Sequence, residues 1–279
     1  MLIIGCGDVG QRLIGLANPD RPFIAWVRSD DSARAAVAVG ATAVTLDIDG
    51  DFQFPDMPPQ AQWLYSAPPP RSGQCDLRLQ RFLAQVPQEQ QPARVQYIST
   101  SSVYGDCGGD WVDETAPRKP SSDRGQRRAD AEEQWQSWCD SHGVELQILR
   151  VPGIVGRGRD KLERLKKGEP ILNPDEATWT NVIDADDLAR LLLALASKAP
   201  AGIYNISDDC PTTSSERALR LCQKLDIPPP PFITRQEAEA TWSPMRLSFL
   251  NESRRLDIQK LKSTLGEVAF KHWVQHRPA

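Results

Sequence analysis

Apolar positions in the first half of the chain fall into short runs, and stretches of helical period separate them. Leu2-Ile3-Ile4 opens the series, and Phe23–Val27, Ala41–Leu46, Gln62–Ser66 and Arg94–Ser99 repeat it. Runs of this length bounded by polar turns predict buried strands. Between them, Val9, Leu13 and Leu16 recur at helical spacing, as do Ser32–Val39 and the group Leu77, Leu79, Phe82 and Leu83. Strands alternating with helices predict an α/β fold, a doubly wound parallel sheet with helices on both faces.

After Ser99 the pattern changes. Thr100–Pro120 is rich in Gly, Asp and Ser and reads as a long surface loop at the carboxyl end of a strand. A helix is predicted from about Ser121 to Ser141, with Ala131, Trp135, Trp138 and Cys139 on one face, and then a strand over Val144–Arg150. Asp184 and Asp186 can cap a helix whose Leu188, Leu191, Leu192 and Leu195 face a core, and Ile203–Ile206 reads as a late strand. Beyond Pro211 come a helix with Ala218, Leu221, Cys222 and Leu225, a Pro228–Pro231 run, and about fifty residues of weak period and many charges.

The first strand runs straight into Gly5-x-Gly7-x-x-Gly10 and a helix opened by Asp8 and Val9. In this order Gly5 permits a tight turn, Gly7 the close approach of a pyrophosphate, and Gly10 close packing of helix on strand. The helix N-terminus then faces the phosphates. A dinucleotide site is the reading, against a plain structural turn. The expected organisation is a Rossmann-type domain over residues 1–155, with 180–207 returning to its sheet. A smaller, interleaved substrate-binding lobe is expected over 156–279.

Charge and composition narrow the partners. The 279 residues carry 33 Lys plus Arg against 37 Asp plus Glu, a formal net charge of −4. A basic excess, which nucleic-acid and membrane-surface binders show, is missing. No apolar run approaches the ~20 residues that span a bilayer. No signal peptide is visible, so a cytoplasmic location is expected. The six cysteines (Cys6, Cys75, Cys107, Cys139, Cys210, Cys222) form no Cys-x-x-Cys pair and no zinc-like spacing with His142, His272 and His276. Free thiols and no metal are expected. Cys6, inside the glycine turn, is read as a small gap-filling residue rather than a group that meets a cofactor.

An ordered set of further motifs extends the reading. Asp47-Ile48 follows the third strand, and Ser99-Thr100-Ser101-Ser102-Val103-Tyr104-Gly105-Asp106 follows the fifth. Asp113-Glu114-Thr115-Ala116-Pro117, Arg150-Val151-Pro152-Gly153-Ile154-Val155-Gly156 and Asn181-Val182-Ile183-Asp184-Ala185-Asp186-Asp187-Leu188-Ala189 come next. With the glycine turn, these resemble the extended short-chain dehydrogenase/reductase superfamily, in its NAD-dependent epimerase/dehydratase-like group. The resemblance implies cofactor contacts from Gly5, Gly7, Asp8, Val9, Gly10, Asp47, Ile48, Ala67, Ser99, Arg128, Pro152 and Ile154. It also implies a catalytic Thr100 that hydrogen-bonds the reacting oxygen, although that hydroxyl can equally tie down a strand end. Ser101 and Arg124 are expected to meet substrate.

The chain departs from the family at one place. Members carry Tyr-x-x-x-Lys after the Asp-Glu-x-x-Pro segment, the Tyr exchanging a proton with substrate and the Lys holding the nicotinamide ribose. Aligned on Pro120-Ser121-Ser122, Arg124 stands at the Tyr position and Arg128 at the Lys position. An arginine does not exchange protons near neutrality, because its pKa exceeds ~12. Tyr104, on the loop after a strand, is the candidate substitute acid; Tyr65, Tyr97 and Tyr204 read as core. Arg124 and Arg128, four apart, share a helix face suited to an anion, unless Asp123–Arg127 and Arg128–Glu132 pair along a solvated face. Arg28 at the tip of the second strand favours NADP over NAD, with Asp30 and Asp31 as counter-evidence. Two functions fit: an oxidoreductase or epimerase-like enzyme whose small-molecule substrate can be anionic and whose chains can pair as a homodimer, or a non-catalytic nicotinamide-dinucleotide sensor or partner-binding module.

Overall fold

Leu2, Ile3 and Ile4, wholly buried, form β1, an interior strand of the sheet. The computed structural model describes residues 1–57, 60–156 and 162–266. On one side β1 pairs in parallel with β2 (Ile24–Val27), which pairs with β3 (Thr42–Thr45). On the other it pairs with β4 (Gln62–Tyr65), followed by β5 (Arg94–Thr100), β6 (Glu145–Val151) and β7 (Gly202–Asn205). The order β3-β2-β1-β4-β5-β6-β7 is parallel throughout, as the alternating pattern predicts. Its winding reverses between β1 and β4, where open α/β sheets place their ligand crevice.

Period-two alternation sends successive strand residues to opposite faces. Ile3, Leu64 and Leu149 meet Leu13 and Ile14 of α1 (Asp8–Leu16) and Leu188, Leu192 and Leu195 of α5 (Ala185–Lys198). Leu2, Ile4, Trp63, Tyr65 and Tyr97 meet Leu79 and Phe82 of α3 (Leu77–Ala84) and Ala131 and Trp135 of α4 (Asp123–His142). Capping is local and legible: Asp184 accepts from the backbone of Asp186 and Asp187 to start α5, and Ser122 accepts from Gly125 to start α4. The helix between β2 and β3, α2 (Asp30–Ala38), starts two residues before the expected Ser32 because the Ser29 side chain caps it.

Two expectations are corrected. Thr100–Pro120 does not begin as a surface loop. Residues 101–104 form a 3-10 turn, and Ser101, Ser102, Val103 and Tyr104 are all buried beneath α4. Gly105, with φ +70°, permits this fold-back, since a Cβ there would lie 2.0 Å from the Lys119 carbonyl oxygen. The second correction concerns the end of the chain. Leu256, Ile258, Leu261 and Leu265, three or four apart beyond the first step, join the core cluster of α1 and α5. This segment therefore packs on the sheet domain rather than on the lobe assigned to 156–279. A separate small hydrophobic cluster gathers Leu172, Ala238 and Leu250. There Ile171–Leu172 pairs with Phe232–Ile233, and α6 (Ser214–Lys224), α7 (Arg235–Thr241) and α8 (Pro244–Leu250) surround the pair.

All six cysteines are free thiols. Among the described residues no group of side chains is arranged to hold a metal, and no helix is long and apolar enough to cross a membrane. His272 and His276 lie outside the described residues.

Candidate active site

Two cavities open at the carboxyl edge of the sheet and share Pro68 in their walls. The first, about 350 Å³, is lined by Gly5, Gly7, Arg28, Asp47, Ile48 and Ala67, with Cys6, Ser32, Asp49 and Arg78 among the rest. Gly5 has φ +80°, and a Cβ on it would stand 2.6 Å from the backbone nitrogen of Ala67. The turn and the β4 tip therefore fit only with glycine at this position. At Gly7 the nearest atom to a Cβ would be 3.9 Å away, and no side chain caps the first turn of α1. The N-terminal turn of a helix without a side-chain cap is suited to face an anion. Gly10 packs α1 on β1, with Cys6 Sγ 2.9 Å and Ile3 3.2 Å from where a Cβ would be.

Asp8 and Val9 line neither cavity: Asp8 accepts from Arg12 at 3.0 Å, and Val9 is buried in the core. Asp30 and Asp31 are also elsewhere, the first accepting from Thr45 and the second paired with Arg34. Arg78 pairs with Asp49 at 2.6 Å and, chiefly through that bond, holds its carboxyl below the usual range. Burial pushes the Cys6 thiol up to about 11, so it stays protonated and fills the gap beneath Gly10.

The second cavity, about 890 Å³, is lined by the end of β5 (Ser99, Thr100), Ser101, Ser102, Arg124, Arg127, Arg128, Pro152, Ile154, Glu252 and Arg254, with Arg71, Trp179, Arg217 and Phe249 also in its wall. Thr100 Oγ1 accepts from the Ser102 amide at 3.3 Å, which ties down the strand end. A hydroxyl used in that way still has its proton to donate. Ser99 donates to Glu132 at 2.6 Å, and Ser101 accepts from Arg254 at 3.3 Å.

The three arginines of α4 are fixed by neutral oxygens. Arg124 donates to Ser102 Oγ at 3.0 Å and lies 4.4 Å from the Phe249 ring centroid. Arg128 donates to the Tyr97 hydroxyl at 3.0 Å and to the Ile98 carbonyl at 2.9 Å, and Arg127 donates to the Gly73 carbonyl. The i,i+4 pairs considered for this helix do not form. Glu132 turns inward to Arg150 at 2.8 Å and to Ser99, while Asp123 accepts from Gln74 at 3.4 Å. A buried carboxylate with a buried guanidinium partner available is drawn to it rather than to solvent.

Tyr104 is corrected as a candidate acid. It is 1% exposed, lines neither cavity and donates to Asn205 Oδ1 at 2.7 Å, with the Arg150 guanidinium 4.7 Å from its ring centroid. Burial pushes its hydroxyl up to about 12. Tyr65, Tyr97 and Tyr204 are buried as expected.

Sequence reasoning missed Glu252 and Arg254. They sit on a strap that crosses the crevice after α8. Arg254 donates to the Gly105 carbonyl at 2.7 Å, and Glu252 accepts from Ser122 at 2.9 Å and from Arg254 at 3.1 Å. Their partners on the sheet domain lie more than a hundred residues back, so no local spacing announces them. The only local signal is a run of charges where periodicity fails.

A parallel sheet wound both ways from a glycine turn, with paired cavities at its switch point, defines a Rossmann-type α/β protein. The chain belongs to the NAD dependent epimerase/dehydratase family, whose family model matches residues 66–207. Over 157 residues it is 41% identical to a dTDP-glucose 4,6-dehydratase of Neisseria meningitidis serogroup B (strain ATCC BAA-335 / MC58). That match covers 52% of this chain and 44% of the relative, so it spans less than half the relative's length. Among solved structures, a functionally unknown conserved protein from Silicibacter pomeroyi DSS superposes with a TM-score of 0.77 at 28% identity, covering 100% of this chain and 99% of the other. The UDP-glucuronic acid 4-epimerase of Bacillus cereus, solved in complex with NAD, gives 0.73 at 16% identity, covering 100% and 94%. At that identity the likeness is one of fold.

Proposed function

We propose that the protein is a cytoplasmic NADP(H)-dependent oxidoreductase or epimerase-like enzyme that acts on a small anionic molecule without the family's Tyr-x-x-x-Lys relay. The observation that carries this is that two cavities at one sheet edge, one built around a glycine turn and the other lined by the three arginines of α4, share Pro68 in their walls. The NAD in the Bacillus cereus structure supports a nicotinamide dinucleotide.

The residues fit such a cofactor. Gly5 and Gly7 admit the pyrophosphate to the uncapped turn of α1, and Asp47, Ile48 and Ala67 wall the same cavity. Arg28 receives a 2′-phosphate, with Asp30 and Asp31 engaged elsewhere. Arg128, held by Tyr97 and Ile98, keeps spare N–H groups for the ribose, and Ser99, Pro152 and Ile154 wall this end. When bound, the nicotinamide supplies a hydride donor or acceptor. Thr100 is the catalytic residue, its hydroxyl donating to the reacting oxygen, while Ser101 and Arg124 orient the substrate. The alcohol proton then passes to water, because no tyrosine reaches the cavity and a guanidinium does not accept protons.

Mass spectrometry of the natively purified protein tests the proposal by identifying retained nucleotide and ligand. A chain that neither retains nor binds a nicotinamide dinucleotide sinks it. A second reading has one observation in its favour: all four tyrosines are buried away from the cavities, as in a protein that binds the dinucleotide as a signal. Cofactor-absorbance changes over a panel of carbonyl compounds and sugar nucleotides separate the two readings.

A further inference from the structure

Arg124 stands where the family's proton-exchanging tyrosine is expected, and its charge is only partly offset, by a single carboxylate at the edge of ion-pair distance. Its hydrogen bond goes to a neutral hydroxyl, Ser102. The nearest carboxylate, Glu252 at 3.8 Å, already accepts from Ser122 and Arg254. The Nε atoms of Arg124 and of Arg254, which is itself 6% exposed, are buried without a hydrogen-bond partner. A buried N–H donor left without an acceptor costs stability, an arrangement that stability alone does not favour. Neutral oxygens also orient Arg127 and Arg128, and Glu252 is the one acid among the described lining residues. The cavity therefore holds preorganised positive charge before any ligand arrives.

The position of this charge says where the ligand's anion sits. Arg124 donates to Ser102 Oγ at 3.0 Å, and the Ser102 amide donates to Thr100 Oγ1 at 3.3 Å. Two contacts thus join the guanidinium to the hydroxyl assigned to the reacting oxygen. An oxyanion on Arg124 and a hydroxyl or carbonyl on Thr100 belong to neighbouring parts of one molecule. In a nucleotide sugar whose only charge is its diphosphate, the anion lies away from the reacting carbon.

We propose that Arg124 is the specificity residue for a ligand carrying a carboxylate or phosphate monoester within a few bonds of its reacting hydroxyl or carbonyl. The class is that of hydroxy acids and phosphorylated hydroxy compounds. The guanidinium carbon lies over the Phe249 ring, and the planar fork matches an oxyanion in a way that an ammonium does not. The inference rests on the functional reading above for the role of Thr100, but not for the anion itself.

Calorimetric titration at fixed ionic strength tests this, with malate and glycerol 3-phosphate as anionic probes and glycerol as the neutral one. The parent protein binds at least one anionic probe and not glycerol, and whichever binds tells carboxylate from phosphate. Arg124→Gln lowers that affinity about tenfold or more, the equivalent of losing one charge-assisted contact of about 1.4 kcal/mol. Arg124→Lys falls between the two, while Arg220→Gln, a charge removed from the exposed face of α6, leaves the affinity unchanged. The proposal is overturned if neither anion binds the parent, if glycerol binds as well, or if Arg124→Gln binds like the parent while keeping its thermal transition. NADPH fluorescence titration of the parent and Arg124→Gln keeps the two readings apart. Failure of the parent to bind NADPH ends the functional reading, while the malate and glycerol 3-phosphate results still judge Arg124.

Discussion

The two cavities share one lining residue, Pro68, and one sheet edge, yet they are built by opposite means. The first is a backbone construction: a glycine turn, an uncapped helix and the tips of three neighbouring strands, all within residues 4–78. The second is a side-chain construction, drawing on segments near 100, 126, 153, 180 and 253. Backbone sites need a few residues that permit a conformation. Side-chain fields need their parts held by partners far away in the chain, and here Glu132, Ser102, Tyr97 and the strap at Glu252 and Arg254 do the holding.

The largest expected effect comes from the second region. Glu132→Gln leaves Arg150, 2% exposed, without its carboxylate, and should cost about 3–5 kcal/mol of stability in chemical denaturation. A loss below about 1 kcal/mol would show that this network does not hold the cavity floor. Next is Gly5→Ala, which places a Cβ against the Ala67 backbone at positive φ. Strain and overpacking together should cost about 3 kcal/mol and abolish dinucleotide binding, with normal binding as the result that breaks the backbone account.

A smaller and more selective effect is expected at the rim of the first cavity. Arg28→Ala should weaken NADPH binding by about 1.5–3 kcal/mol, the worth of a hydrogen bond to a charged group, and leave NADH affinity unchanged. Equal losses for both cofactors in fluorescence titrations would remove Arg28 from the 2′-phosphate. The smallest effect is a pH effect. Arg78 depresses the Asp49 carboxyl, so the pair stabilises the fold above the ordinary Asp pKa and is lost as pH falls through the lowered value. Thermal melts of Asp49→Asn should therefore lose part of the parent's acid-side decline within that window, and an unchanged decline would assign it to other carboxylates.

The contrast between the cavities also marks how far the sequence was legible. The glycine turn, the strands around it and the caps at Ser122 and Asp184 are local, and they lie where short-range chemistry predicts them. The fold-back at 101–104 is not legible locally, because its polar residues have the pattern of a solvated loop, while Gly105 and Gly125 let it slip beneath α4. The same holds for Tyr104: it follows a strand tip, as catalytic residues do, but Asn205 on β7 draws its hydroxyl inward.

By itself the sequence determined the parallel sheet, the dinucleotide-type turn, the family and the replacement of Tyr and Lys by Arg124 and Arg128, because periodicity and motif spacing are properties of neighbouring residues. Only the tertiary structure decided what those arginines do. Arg128 is tied to Tyr97, Glu132 is turned away to Arg150, and the strap brings Glu252 and Arg254 beside Arg124. Each of those outcomes depends on which partner burial brings within hydrogen-bonding distance, and that is set by packing between segments the chain keeps far apart.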